Sequence, residues 1–275
     1  MKSYKLWAVF AAASLVLGVV LCIFGIILGG KLHDSFGVQY GKGGSFGIGF
    51  IDRDDEDYQE KIKLPSFQNL EMDIDLGDIT IKQGDELMLY TEDLASDDYE
   101  IIQEGDTLKI KSRDDGFHFF SVGFLSRDYH FTITIPKENR LSALTVYSAM
   151  GDIDVDDIYA QDIVLEQSMG DVSLNNTLYQ TLDVTQKMGD VDYEGKGQGN
   201  MTIDNSMGDV SVTLYDQKQY YSYELNASMG TIKTAEEKAD GISKSIRNHP
   251  KLAKYRLNID CSMGDIELEF EDDFD

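Results

Sequence analysis

Basic residues are scarce in this chain: Lys and Arg number 24 against 50 Asp and Glu, a formal net charge of −26. A surface that anionic repels phosphate backbones and acidic lipid headgroups, which argues against nucleic acid as a partner. Cysteine is scarcer still. Cys22 and Cys261 are the only two, too few for a disulfide framework. The histidines, at 33, 118, 130 and 249, show none of the close pairing of a zinc site. Apolar residues are not lacking. Hydrophobic residues make up 42% and aromatic residues 11% of 275, enough to bury a core and to exclude wholesale disorder.

No acidic residue occurs in the first 30 positions, and the 22 residues from Trp7 to Leu28 carry no charge at all. As a helix that run spans roughly 33 Å, matching a hydrocarbon core of about 30 Å. Lys2 and Lys5 precede it, which places the short N-terminal end in the cytoplasm. No small-x-small site follows the run, against a cleaved signal peptide, and Leu21 before Cys22 argues against lipidation. The expectation is a cytoplasmic tail over 1–6, a single transmembrane helix over 7–30 anchoring the protein in the cell membrane, and an extracytoplasmic remainder. Residues 31–61, with GKGGSFGIGF and DRDDEDYQEK, read as a Gly-rich, acidic linker. Gly43-Gly44-Ser45-Phe46-Gly47 fits the nucleophile-elbow pattern only by composition, without the strand before it and helix after it that an elbow needs.

A six-residue phrase organises the rest. It begins at Met150, Met169, Met188, Met207, Met229 and Met263 and reads Met-Gly-Asp-[Ile/Val] except at Thr231; Leu76-Gly-Asp-Ile is an earlier copy. Three successive intervals of 19 residues separate the first four Met copies. A fixed period of this length marks a solenoid, whose units bury their apolar faces only by stacking. The sixth residue before each Met is apolar (Leu144, Ile163, Leu182, Met201, Tyr223, Leu257), as is the fourth (Val146, Leu165, Val184, Ile203, Leu225, Ile259), with mainly polar residues between. That alternation is strand patterning. Each unit is therefore two short strands bent at Met-Gly-Asp, and seven units stacked in parallel would run roughly 34 Å. The fold class expected is all-β, a β-solenoid over 62–275 with a repeat of about 19 residues, preceded by the transmembrane helix.

Leu87–Thr91, Tyr99–Gln103, Thr107–Lys111 and Tyr129–Ile135 also alternate, with Gly105-Asp106 as a turn, and read as a hairpin-rich elaboration of the solenoid's first end. Residues 235–254 read as an irregular or partly helical excursion ending near Pro250. A membrane segment, a Gly-rich spacer and strand pairs closed by a Gly-Asp-[Ile/Val] phrase resemble the bacterial putative-adhesin family of β-strand-repeat proteins. The resemblance covers about 62–275. It implies a cell-envelope protein with an external β-solenoid and no assigned biochemistry.

Four features carry candidate chemistry. The Met ladder offers soft thioethers, but its expected position, on the inward parity of the strand, makes it core filling. The Asp ladder, with Asp152, Asp171, Asp190 and Asp209 as weak metal candidates, could supply oxygens to Ca²⁺; the structural reading has each Asp accepting backbone N–H groups at its turn. Ser148, Gln167, Gln186, Asn205, Ala227 and Cys261 stand two residues before each Met, inward, where stacked amides would satisfy one another and Cys261 would be a buried, inert thiol. Gly116–Leu125, GFHFFSVGFL, is an aromatic loop suited to covering one end of the solenoid or touching a lipid leaflet or a partner.

Function follows from location and shape. The leading reading is a non-enzymatic, membrane-anchored surface protein, an adhesin or binding scaffold of the envelope contacting a polymer or a membrane protein. The alternatives are an envelope-stress accessory acting through a membrane partner and, remotely, a polysaccharide-active β-helix enzyme. Against catalysis, residues 150–212 contain only Lys187 and Lys196 as basic groups and no His or Arg, leaving little for proton abstraction.

Overall fold

In the computed structural model the described residues are 35–40, 46–51, 59–94, 98–113 and 129–271, the first two stretches by backbone alone. The expected transmembrane segment and the aromatic loop lie outside them. Among the described residues no helix is long and apolar enough to cross a membrane. Within the segment read as a spacer, Ser35–Tyr40 pairs antiparallel with Phe46–Ile51. This hairpin belongs to a unit separate from the main body, which comprises 57–114 and 127–275.

Among the described residues of the main body the regular elements are strands apart from one 3₁₀ turn, Lys218–Tyr220. Its strands run in two parallel ladders. In one, Asn69–Leu76, Leu141–Met150, Ala160–Met169, Thr181–Gln186 and Asn200–Met207 pair successively in parallel. In the other, Asp78–Gly84, Ile153–Asp156, Val172–Asn175, Val191–Gly195 and Val210–Leu214 do the same. The register follows the repeat: Leu144 lies beside Ile163 and Ile163 beside Leu182. The inward residues of both ladders, such as Leu144, Val146, Ile153 and Val155, are fully buried in one continuous core. The alternation expected from the sequence is thus the burial pattern of the fold.

Gly at each corner is a requirement of this stacking. Gly77, Gly151, Gly170, Gly189, Gly208, Gly264 and Gly230 have φ between +124° and +147°, a region L side chains rarely enter. Their faces also touch. A Cβ on Gly189 would lie 1.8 Å from the carbonyl oxygen of Gly170. The N–H of each corner Gly but Gly230, which lies in the terminal rung, donates to the Met carbonyl of the next rung, as Gly170 does to Met188 (3.1 Å) and Gly189 to Met207 (2.9 Å).

The order of the rungs departs from the order of the chain. Tyr255–Met263 pairs with Asn200–Met207 on one side and with Tyr221–Thr234 on the other. The last unit in sequence is therefore the penultimate rung in space, and the Met229 unit is terminal. Residues 235–254 are no helical excursion: Lys238–Asn248 is an antiparallel strand paired along Tyr221–Thr234 from Tyr223 to Lys233. Of its side chains only Ile246 is buried, so no face of it demands the apolar alternation of a half-buried strand, which is why its pattern is not legible. At the other end Thr107–Ser112 and His130–Pro136 add a parallel rung outside Asn69–Gly84. Antiparallel strands Gln59–Lys63, Met88–Glu92 and Tyr99–Glu104 complete that end; the last two lie within a residue of the strands read from the sequence, whereas Gln59–Lys63 begins inside the segment read as linker.

Candidate functional site

Two places in the main body concentrate chemistry: the corner line and a cleft at the far end. Along the corner the Asp residues form a chain of hydrogen bonds. The Oδ1 of Asp78 accepts the N–H of Asp152 (2.9 Å), that of Asp152 the N–H of Asp171 (2.8 Å), that of Asp171 the N–H of Asp190 (2.8 Å) and that of Asp190 the N–H of Asp209 (2.7 Å). Asp209 then accepts from Asp265 (2.8 Å), and Asp265 from Thr231 (2.7 Å). The one break in the motif has its explanation here. Thr231 sits in the terminal rung, with no further corner N–H to receive. Asp152, Asp171, Asp190 and Asp209 thus each spend one carboxylate oxygen on the backbone of the next rung. Among the described residues no group of three or more His, Cys, Asp or Glu is placed to hold a metal ion.

The acidic face has electrostatic consequences. Partial burial, then the neighbouring Asp156, Asp152 and Asp78, raise the pKa of Asp154 above the usual carboxylate value. Burial likewise raises Asp192, opposed by a hydrogen bond with Ser211 and reinforced by Asp190, Asp171 and Asp209.

The column two residues before each Met is buried, as expected, but its amides do not satisfy one another. Gln167 and Gln186 donate through Nε2 to the carbonyls of Gly151 and Gly170 in the preceding rung, and Asn205 donates to Gly189 (3.1 Å). Cys261 takes the same position with its Sγ against the Gly208 carbonyl (3.4 Å). Burial, with Asp209 nearby, pushes its thiol up to about 11, in keeping with an inert group.

The methionines correct the sequence reading. They are not core residues: Met150, Met169, Met188, Met207, Met229 and Met263 are all exposed at 37–51%. The alternation stops one residue before the corner, where Ala149 and Met150 both face outward after buried Ser148. The positive-φ glycine that follows turns the chain, so two consecutive side chains leave the core.

The cleft lies where the displaced rung is inserted. Asn200, Thr202, Ser222, Lys254, Tyr255, Arg256 and Asn258 line most of a volume of about 490 Å³. The fold supplies it by pairing Ser222 with Arg256 and Thr202 with Asn258 across adjacent strands. Asn200 Oδ1 holds the Arg256 N–H at 3.0 Å, and Lys254 lies over the Tyr220 ring at 4.0 Å. Residues 238–256 hold six basic residues and one acidic one, whereas 141–214 hold two basic and thirteen acidic. Lys238 pairs with Asp240 (3.4 Å) and Arg247 with Glu224 (2.5 Å). Among the described residues neither Lys254 nor Arg256 makes an ion pair. Sequence reasoning missed this site, although the run of bases after Glu237 was its signal.

Comparison with known proteins adds a family and a fold. The sequence model of the family described as Toastrack DUF4097 matches residues 67–196 and again 140–269. No curated protein matches the chain. A solved structure described as a "putative cell adhesion protein" from Clostridium sporogenes is similar over 78% of this chain and 100% of its own, at 11% identity and a TM-score of 0.50. One described as a "putative adhesin" from Bacteroides fragilis is similar over 78% of this chain and 98% of its own, at 13% identity and a TM-score of 0.45. At 11% identity the likeness to the Clostridium sporogenes structure is one of fold.

Proposed function

Because the chain belongs to the Toastrack DUF4097 family, whose strand-repeat architecture it shares, we propose that it is a non-catalytic binding scaffold of the bacterial envelope. The charge-free Trp7–Leu28 run would tether it to the cell membrane, with the solenoid outside. The observation that carries the reading is the cleft at the cationic end. In a chain of net charge −26, two cations without acidic partners among the described residues stand beside Tyr255 and among the hydroxyls and amides of Thr202, Ser222, Asn200 and Asn258. That set suits a hydroxyl-rich polyanion such as an acidic envelope polymer. Cations meet its charges, amides and hydroxyls its oxygens, and the aromatic ring an apolar sugar face. The acidic flank of the rod repels the same polymer, so binding is confined to one end.

Binding of the full-length protein to purified acidic wall polymer tests this. Loss of Lys254 and Arg256 together (K254A/R256A) is expected to weaken it by roughly tenfold or more, and raising salt should weaken the wild type. Equal binding by the double variant would remove the cleft from the reading. Absence of binding to acidic and neutral polymers alike would remove adhesion to wall polymer.

A further inference from the structure

Six methionines form a continuous line on the outside of the solenoid. Met150 pairs with Met169, Met207 with Met263 and Met263 with Met229, and Gly170 and Gly189 bond Met188 and Met207 into the same series. The spatial order is Leu76, Met150, Met169, Met188, Met207, Met263, Met229. Six of the ten methionines stand there half-exposed, whereas Met72, Met88 and Met201 are buried in the core. Packing does not account for the choice. A turn facing water gains little from an apolar residue, and where one is needed to cover the corner backbone leucine suffices, as at Leu76 in the same line. A thioether differs from leucine in possessing a soft, polarizable lone pair.

We propose that this ladder is a binding site for a soft monovalent metal ion, Cu(I) or Ag(I), bridged between the thioethers of adjacent rungs. Neighbouring rungs lie about 4.8 Å apart. A metal–sulfur bond of about 2.3 Å, the length found for zinc thiolates, gives a two-coordinate span of about 4.6 Å, matching one rung step. Three rotatable bonds let each side chain adjust, and a third thioether from the next rung can join. Each Met is followed two positions on by an Asp, except at Thr231, and rungs 141–214 carry thirteen acidic residues against two basic ones. That field concentrates cations along the line, while the thioethers select soft ones over Ca²⁺ and Mg²⁺. The site is independent of the cleft.

The full-length protein carrying Cys22→Ala and Cys261→Ala, so that thiols do not compete, is titrated with Ag(I), followed by calorimetry and by the NMR signals of ¹³C-methyl methionine. Ala227 already occupies the Cys261 column in another rung, so that replacement fits. The ladder methyls are expected to shift at micromolar Ag(I), and those of Met72, Met88 and Met201 to stay. The triple variant M169L/M188L/M207L should bind roughly tenfold or more weakly with unchanged strand content and melting temperature. M188L alone, which breaks the run at its middle, should bind measurably less and guards against misfolding of the triple variant. Millimolar Ca²⁺ should not displace Ag(I), and Cu(I) supplied from a competing chelator should reproduce the shifts. Lack of micromolar binding, undiminished binding by the leucine variants, or displacement by Ca²⁺ would each overturn the proposal.

Discussion

Replacing Gly189 by alanine probes the assumption on which the stacked architecture rests. Gly189 has φ of +135°, and an alanine held there costs about 1–3 kcal/mol in backbone strain. Its Cβ would also lie 1.8 Å from the Gly170 carbonyl oxygen and 2.6 Å from Gln186 Nε2. That amide itself donates to the Gly170 carbonyl, so relief of the clash must separate two rungs or break the amide contact. Overpacking of this kind costs about 1–3 kcal/mol more, giving an expected loss of about 4 kcal/mol. For a body of some 200 residues that is a fall in melting temperature of roughly 8–16 °C. Gly105→Ala is the control. Gly105 has φ of +61° but nothing within 4 Å of an added Cβ, so only the left-handed backbone cost of about 1 kcal/mol applies, or roughly 2–4 °C. Thermal and urea denaturation of both variants give the comparison. If Gly189→Ala loses no more than Gly105→Ala, the corners do not touch and the stacking argument fails.

Asp190→Ala removes the acceptor for the Asp209 N–H (2.7 Å) and should cost about 1–2 kcal/mol, whereas Asp190→Asn keeps an oxygen there and should cost less; urea denaturation ranks the two. Asp154, whose pKa is raised by partial burial and then by its acidic neighbours, binds its proton more tightly folded than unfolded. Its ionisation therefore destabilises the fold at neutral pH, and that penalty disappears as pH falls through the raised folded value to below the ordinary one. Asp154→Asn should accordingly raise the melting temperature at pH 7 and lose this advantage in acid; no gain at pH 7 would contradict the burial assigned to it. Cys261, with its thiol pushed from 9.0 to about 11, presents about a hundredfold less thiolate than an ordinary cysteine at the same pH. Alkylation at pH 8, mapped to Cys261 by mass spectrometry, should be slower in the native protein than in urea by at least that factor.

The residues legible in sequence were those whose role repeats from rung to rung. Leu144, Ile163 and Leu182 occupy one apolar column at a constant spacing, and only a parallel stack of equal rungs satisfies that spacing. The Gly corner and the inward column of Gln167, Gln186 and Cys261 follow from the same period. The Asp column reads in sequence as N–H acceptors at their own turns or as weak metal candidates; in the structure each Oδ1 instead reaches the corner N–H of the next rung, a contact between units. Outside the repeat the strands Met88–Glu92 and Tyr99–Glu104 were legible too, but the strand across the far end was obscure. Lys238–Asn248 gave no strand signal because it buries only Ile246, and a strand without a buried face has no need to alternate.

Periodicity by itself determined the rung, its two strands, its buried positions and its glycine corner, since each depends on contacts between equivalent residues one unit apart. Only the tertiary structure decided the order of stacking. Leu257 and Ile259 fit against Met201 and Ile203 as well as Tyr223 and Leu225 would, so the pattern of apolar residues could not say which rung comes next. Insertion of Tyr255–Met263 brings Arg256 and Lys254 beside Asn200 and Ser222, creating the cleft. It also makes the Met229 rung terminal, which frees Thr231 from the need for a carboxylate. The outward turn of the methionines was decided by the corner as well. The positive φ of each following glycine redirects the chain, and a parity count along a straight strand does not contain that rotation.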